Sequence, residues 1–290
     1  MTKIFGHRGA KGTYPENTLL SFKKAIEIGV DGLELDVHVT KDGEVVVIHD
    51  ETLDRTTSGS GWIKDLTLAE IRKVSAGSRF CHFNKYEKNW DHEKVPTLQE
   101  VLELIAPYPI ELNIELKTSM IPYDRIEEKV LQIVDQFASD KKVIYSSFHL
   151  PTLIRIKQME QEANIAWLLN EGISLPEDHL STLDLEVLHL HKHIVIPDTK
   201  LYEQISHLLH HSQVDVPIEV LQYVWKKWKE NHPEHLQHIY EKIRVWTVND
   251  PNEITRLLDL NVKAIITDDP ERAVRLRDKR KIVNEKRKEK

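Results

Sequence analysis

The 290-residue sequence predicts a (β/α)8 barrel, a TIM barrel, with an insertion after the second strand. Short β-branched runs alternate with amphipathic helical stretches from end to end, the pattern of a parallel sheet with helical crossovers. There are eight such runs, the number that closes a barrel, and a barrel of this kind commonly takes about 250 residues as a single domain. Two of the runs also carry polar side chains on the face that a barrel turns inward.

The candidate strands, in order, are Lys3–Arg8, Gly32–Val39, Ile110–Lys117, Lys142–Phe148, Asn164–Asn170, Glu186–His191, Lys242–Val248 and Val262–Asp268. Between the first two lies a helix with an apolar stripe of Leu19, Leu20, Phe22, Ala25 and Ile26. Asn17 can cap its start and Gly29 can end it. Two connections are too long for plain crossovers: residues 50–96 after the second strand, and residues 198–241 before the seventh. Neither has the Pro/Ser-rich look of an interdomain linker. The reading is therefore one domain over 1–290 with two insertions, ending in a basic helical tail from Arg275 to Lys290.

Composition narrows the function classes. At 40% hydrophobic and 30% charged the chain is ordinary globular protein. A formal net charge of −7 gives no reason to expect a nucleic-acid partner. The sequence shows no apolar stretch of membrane-spanning length and no signal-peptide core, so no stable membrane insertion is expected. Cys81 is the only cysteine, which excludes an internal disulfide and thiolate metal sites. A cytoplasmic protein is the expectation.

The chemistry sits on the second and third strands. Along Leu33-Glu34-Leu35-Asp36-Val37-His38-Val39 the apolar and polar residues alternate with period two. In a barrel the outer face meets helices, so Leu33, Leu35, Val37 and Val39 point out and Glu34, Asp36 and His38 point in. The third strand repeats this, with Glu111, Asn113, Glu115 and Lys117 inward. Burying unpaired carboxylates costs several kcal/mol each, so something positive must offset them. Glu34, Asp36 and Glu115 together suit a hard divalent cation held through oxygen, Mg2+ or Ca2+ before zinc.

Asp42-Gly43 reads as a two-residue hairpin turn. Pairing outward from Lys41 and Glu44 sets His49 opposite Asp36, with Cβ atoms roughly 4.5–5.5 Å apart. His38 faces the same way and reads as a supporting or surface group. The first strand ends in His7-Arg8-Gly9, at the barrel end where active sites lie. A histidine supplies a proton-transfer group near neutral pH and an arginine a bidentate phosphate clamp. Glu16-Asn17 follow at a helix start, which favours anions. Histidines 189, 191, 193, 207, 210 and 211 form a loose cluster read as surface residues.

Together these residues resemble the glycerophosphodiester phosphodiesterase family. The matching runs are His7-Arg8-Gly9-Ala10, Pro15-Glu16-Asn17-Thr18, Glu34-Leu35-Asp36-Val37-His38, Lys41-Asp42-Gly43, Val46-Val47-Ile48-His49-Asp50 and Leu53-Asp54-Arg55-Thr56-Thr57. Later come Pro96-Thr97-Leu98, Glu115-Leu116-Lys117, Val245-Trp246-Thr247-Val248-Asn249 and Thr267-Asp268-Asp269-Pro270. The likeness is dense over 3–117 and 242–271 and thin between. It implies metal ligation by Glu34, Asp36 and Glu115, an acid–base pair of His7 and His49, and neutralisation of the phosphate by Arg8 and Lys117. It further implies that Glu16 and Asn17 steady the site and that Trp246 walls a glycerol pocket, although Trp246 reads equally well as barrel filler. The implied substrate is a small glycerophosphodiester. Rival readings are a lysophospholipase D-type enzyme, using Trp62, Phe80, Phe83, Tyr86 and Trp90 as an apolar patch, and a non-catalytic binding barrel.

Overall fold

The computed structural model describes residues 1–196 and 233–288. Nine strands are described: β1 (Lys3–His7), β2 (Gly32–Val39), β3 (Val45–Val47), β4 (Glu111–Leu116), β5 (Val143–Ser147), β6 (Asn164–Leu169), β7 (Val187–His191), β8 (Ile243–Trp246) and β9 (Ala264–Thr267). All except β3 are parallel neighbours in a closed ring, because β1 pairs with both β2 and β9. The eight predicted strands are these eight, trimmed by up to two residues at either end. β3 stands outside the ring as an antiparallel partner of β2. Of the second predicted insertion, residues 198–232 lie outside the described residues, together with His207, His210 and His211; residues 233–242 form a 3-10 helix before β8.

Closure follows from the two faces of each strand. The outward residues Leu33, Leu35, Val37 and Val39 join Phe22, Ala25, Leu98, Val101 and Leu102 from the flanking helices in one core. Inside the ring, the lower part of the barrel is filled by Phe5, Ala264 and Ile266 on one side and Ile144, Ala166 and Val187 on the other. His189 belongs to this interior and is fully buried, so its surface reading is corrected. The sequence cluster misled because β7 turns alternate residues inward, which a count of histidines ignores. Arg244 is also fully buried, 4.3 Å above the Phe5 ring, with Nη2 donating to Glu111 at 3.1 Å. Burial lowers its pKa to about 10. No described helix is long and apolar enough to cross a membrane.

The helix Leu19–Ile28 is capped by Thr18, whose hydroxyl accepts from Ser21 N, and ends at left-handed Gly29. Asn17 is therefore not the cap, and its side chain is free for another task. The β2–β3 hairpin also differs from expectation. Val37 opposes Val47 and Val39 opposes Val45, and Thr40 N donates to Glu44 O at 2.9 Å. Three residues, not two, form the loop, with Gly43 at φ +90°. This is the turn plus left-handed residue that three-residue hairpins use. The register moves by one, so the expected pairing of Asp36 with His49 does not form; His49 lies beyond the end of β3.

The insertion over residues 50–96 carries its own small core of Leu53, Ile63, Ile71, Ala76 and Val95 against Val46 and Ile48 of the hairpin. Thr67 and Thr97 each start a short helix with a capping box, to Glu70 and Glu100. Phe80 and Trp90 are buried, which leaves Trp62 as the large exposed apolar side chain of the expected patch. One packing prediction arises inside the ring. A Cβ on Gly32 would overlap the Phe5 ring and sit 2.8 Å from the Glu111 carbonyl oxygen. Gly32→Ala is expected to cost about 1–3 kcal/mol as an overpacked core. Urea unfolding should show a lower midpoint at unchanged m-value; an unshifted midpoint would mean that the barrel floor yields freely.

Candidate active site

Period-two alternation and parallel register bring the carboxylates together. Glu34 and Asp36 lie two apart on β2, and Asp36 is the register partner of Glu115 on β4. Glu34, Asp36 and Glu115 are each buried, and one oxygen from each lies within 4.8 Å of the others. Burial and the adjacent Asp36 charge raise Glu34 well above the usual carboxylate range, against the pull of Arg8. Burial raises Glu115 too, opposed by Lys117. Burial would also raise Asp36, but Arg8 and Lys117 outweigh it and hold this carboxyl low. Asp36 Oδ1 has no hydrogen-bond partner. Three buried carboxylates with an orphaned oxygen and no sulfur or imidazole in the donor set fit a hard divalent cation.

The end of β1 supplies the first two basic groups. Arg8 stands at φ +50°, a left-handed conformation that costs a non-glycine residue energy and clusters at functional sites. Its backbone N–H donates to Glu34 Oε2 at 2.9 Å, its Nη1 to Glu16 Oε1 at 2.7 Å, and its Nε lies 3.2 Å from Asp36. Asn17, also left-handed, turns its amide onto Asp36 Oδ2 at 2.9 Å. Burial would raise Glu16, yet the hydrogen bond from Arg55 and the charge of Arg8 lower it, so it is a carboxylate.

His7 Nδ1 donates to Asp268 Oδ1 at 2.6 Å, which leaves Nε2 facing Glu34, 3.9 Å away. Burial lowers the His7 pKa despite the Asp268 hydrogen bond, which favours the neutral ring. Asp268 is itself held by Asn249 Nδ2 at 2.8 Å and lies 3.8 Å from Lys11. His49 is built the same way: Nδ1 lies 2.6 Å from Asp50 Oδ1, and Nε2 is 3.2 Å from Lys117 Nζ. Lys117 Nζ also donates to Glu115 at 2.9 Å. His38 fixes the His49 backbone, its Nε2 donating to the His49 carbonyl at 3.0 Å while Nδ1 accepts from Tyr123 at 2.7 Å. Burial lowers the His38 pKa to about 4, so it is a neutral support.

Nine of the ten residues singled out thus meet in one network: His7, Arg8, Glu16, Asn17, Glu34, Asp36, His49, Glu115 and Lys117. Trp246 stands apart from it. Its indole donates to His189 O at 3.0 Å and meets Phe148 and His191 edge-on, at 5.4 and 5.0 Å between ring centres, above Phe5, Ala264 and Ile266. Sequence reasoning gave no task to Asp50, Arg55, Asn249 or Asp268. For Asp268 a signal existed, since Ile266 is inward and an acid two residues on, at a strand's carboxyl end, shares its face.

Such a site can hold a phosphate diester between cations and imidazoles. Residues 7–272 match the glycerophosphoryl diester phosphodiesterase family. The chain is 36% identical over 282 residues to a glycerophosphodiester phosphodiesterase of Bacillus altitudinis, covering 97% of this chain and all of that one. It is 35% identical over 275 residues to one from Caldanaerobacter subterraneus, covering 95% and 97%. Among solved structures, it resembles an Oleispira antarctica phosphodiesterase in complex with the product sn-glycerol-3-phosphate, at TM-score 0.71 and 27% identity over 96% and 97% of the two chains. A Thermotoga maritima glycerophosphodiester phosphodiesterase superposes at TM-score 0.64 and 28% identity over 96% and 99%.

Proposed function

The chain belongs to the glycerophosphoryl diester phosphodiesterase family, and from that premise we propose that it hydrolyses glycerophosphodiesters to an alcohol and glycerol 3-phosphate, with one divalent cation, Mg2+ or Ca2+, in its site. The observation that carries this reading is the buried triad of Glu34, Asp36 and Glu115 ringed by Arg8, Lys117, His7 and His49. The product complex of the Oleispira antarctica phosphodiesterase supports the same substrate class. On this proposal residues 1–290 form one catalytic domain. A cytoplasmic setting is part of it, supported by a composition with a single cysteine.

A phosphodiester is a monoanion at neutral pH, and attack on it gathers further negative charge on the phosphoryl oxygens. Glu34, Asp36 and Glu115 would hold the cation, which supplies Lewis-acid neutralisation of that charge when bound. Arg8 and Lys117 bind the remaining phosphoryl oxygens, as charged donors already poised by Glu16 and Glu115. One of His7 and His49 takes the proton of the attacking oxygen, from water or from the neighbouring glycerol hydroxyl. The other gives a proton to the departing alcohol as its bond to phosphorus breaks. Trp246 bounds the glycerol.

Phosphorus NMR of products from glycerophosphocholine should show glycerol 3-phosphate, and a transient cyclic phosphate if the glycerol hydroxyl attacks. Excess chelator should stop turnover and Mg2+ or Ca2+ restore it. Full activity with verified negligible metal would sink the cation. Among the described residues the aromatic groups Trp246 and Phe148 offer a wall and no closed cage, so choline, ethanolamine and glycerol diesters should differ in kcat/KM by less than about 100-fold, the scale of a few weak contacts. One diester exceeding the rest by several orders of magnitude would reveal a dedicated alcohol pocket.

A further inference from the structure

Arg55 is borne by the insertion, next to Leu53, which is buried in the insertion's core and whose carbonyl accepts from both the backbone N–H and the hydroxyl of Thr57. Its guanidinium reaches two carboxylates at once. Nε donates to Asp50 Oδ2 at 2.6 Å and Nη2 to Asp50 Oδ1 at 2.9 Å; Nη1 donates to Glu16 Oε2 at 2.9 Å and Nη2 to Glu16 Oε1 at 2.8 Å. Both carboxylates have a second duty on the same oxygens. Asp50 Oδ1 receives His49 Nδ1, and Glu16 Oε1 receives Arg8 Nη1. These two partners come from opposite parts of the site, the hairpin end and the end of β1.

We propose that Arg55 is a positioning residue for the reaction, a single clamp that fixes the orientation of His49 through Asp50 and of Arg8 through Glu16. The proposal rests on the reading that His49 and Arg8 act on the phosphodiester. Arg55 is half-exposed, and buried Glu16 keeps its pairing with Arg8 without it, so the effect lies mainly in geometry. Without the clamp, the one hydrogen bond that holds the Asp50 side chain among the described residues is that to His49 itself, and the imidazole swings with it. Lysine cannot replace the fork, since three donors on one nitrogen cannot make the four bonds the guanidinium makes to the two carboxylates.

The test compares wild type with Arg55→Lys and Arg55→Ala on glycerophosphocholine, in full-length protein. Both variants should lose roughly 10–100-fold, the usual scale for groups that orient catalytic residues, mainly in kcat, with thermal midpoints near wild type. Added guanidinium at millimolar level should restore part of the Arg55→Ala rate, while sodium chloride of equal ionic strength should not. In a His49→Ala background the same substitution should cost less, because only its effect through Glu16 and Arg8 remains. Arg55→Lys within two-fold of wild type overturns the clamp. So does an Arg55→Ala loss that guanidinium leaves unrelieved. If wild type itself turns over no phosphodiester, the functional reading fails and the clamp is judged by proton NMR. The His49 Nδ1–H resonance, shifted downfield by Asp50, should broaden or vanish in Arg55→Ala; an unchanged resonance overturns the clamp independently.

Discussion

Glu34→Gln is expected to abolish turnover and to leave a metal-free protein at least as stable as the original. Glu34 is one of three buried carboxylates whose oxygens lie within 4.8 Å of each other. Losing a cation ligand removes charge stabilisation worth several kcal/mol in the transition state, which at about 1.4 kcal/mol per decade is roughly 10³-fold in rate. The fold should tolerate the change because the amide keeps an oxygen to accept from Arg8 N, which now donates to Glu34 at 2.9 Å. The sign of the stability effect follows from the raised pKa. Burial and Asp36 disfavour the charged form, so the folded state binds a proton that the unfolded chain gives up near the ordinary value of 4.5. The wild-type penalty is then absent below that pH and grows as pH rises above it. Urea midpoints in chelator should accordingly favour the variant more at pH 8 than at pH 5. A variant that keeps a tenth of wild-type turnover at saturating Mg2+ or Ca2+, or that is less stable at every pH, would remove Glu34 from the cation site.

The alternation on β2 and β4 made this triad legible, because a period of two leaves only one face for helices to cover and the polar set has nowhere to go but inward. His49 reached the same place for a different reason than the sequence suggested. The expected two-residue turn would have put it opposite Asp36 by ladder register. Instead Gly43 opens a three-residue loop, the ladder stops at Val47, and the position of His49 is set by His38 and Asp50. Such contacts depend on side chains meeting across loops, and no periodicity encodes them. The same holds for Asp268, which closes on His7 from 261 residues away. Asn17 was misread as a cap because Thr18, one position on, is an equally good acceptor; only the structure shows the Asn17 amide engaged by Asp36.

His7→Ala and His49→Ala should each reduce the rate by about 10²–10⁴-fold, the usual worth of a positioned proton-transfer group. The two imidazoles share one design, with Nδ1 tied to a carboxylate at 2.6 Å and Nε2 turned into the site, that of His49 lying 3.2 Å from Lys117 Nζ. Anchoring Nδ1 fixes both tautomer and ring direction, so an alanine removes a preset proton carrier and water replaces it poorly. If one ring takes a proton and the other gives one, the wild-type pH–rate profile is bell-shaped and each variant loses one limb. Leaving-group chemistry separates the roles. A p-nitrophenyl ester of glycerol phosphate departs as a stable anion and needs no proton. The variant lacking the general acid should therefore cleave it nearly as fast as wild type, while the variant lacking the base stays slow on it and on glycerophosphocholine alike. His49→Ala at wild-type rates across the pH range on both substrates would place that ring outside the chemistry. An equal, unrelieved loss in both variants would mean that neither ring protonates the leaving alcohol and that the donor lies elsewhere, with Lys117, 3.2 Å from His49 Nε2, the next group to replace.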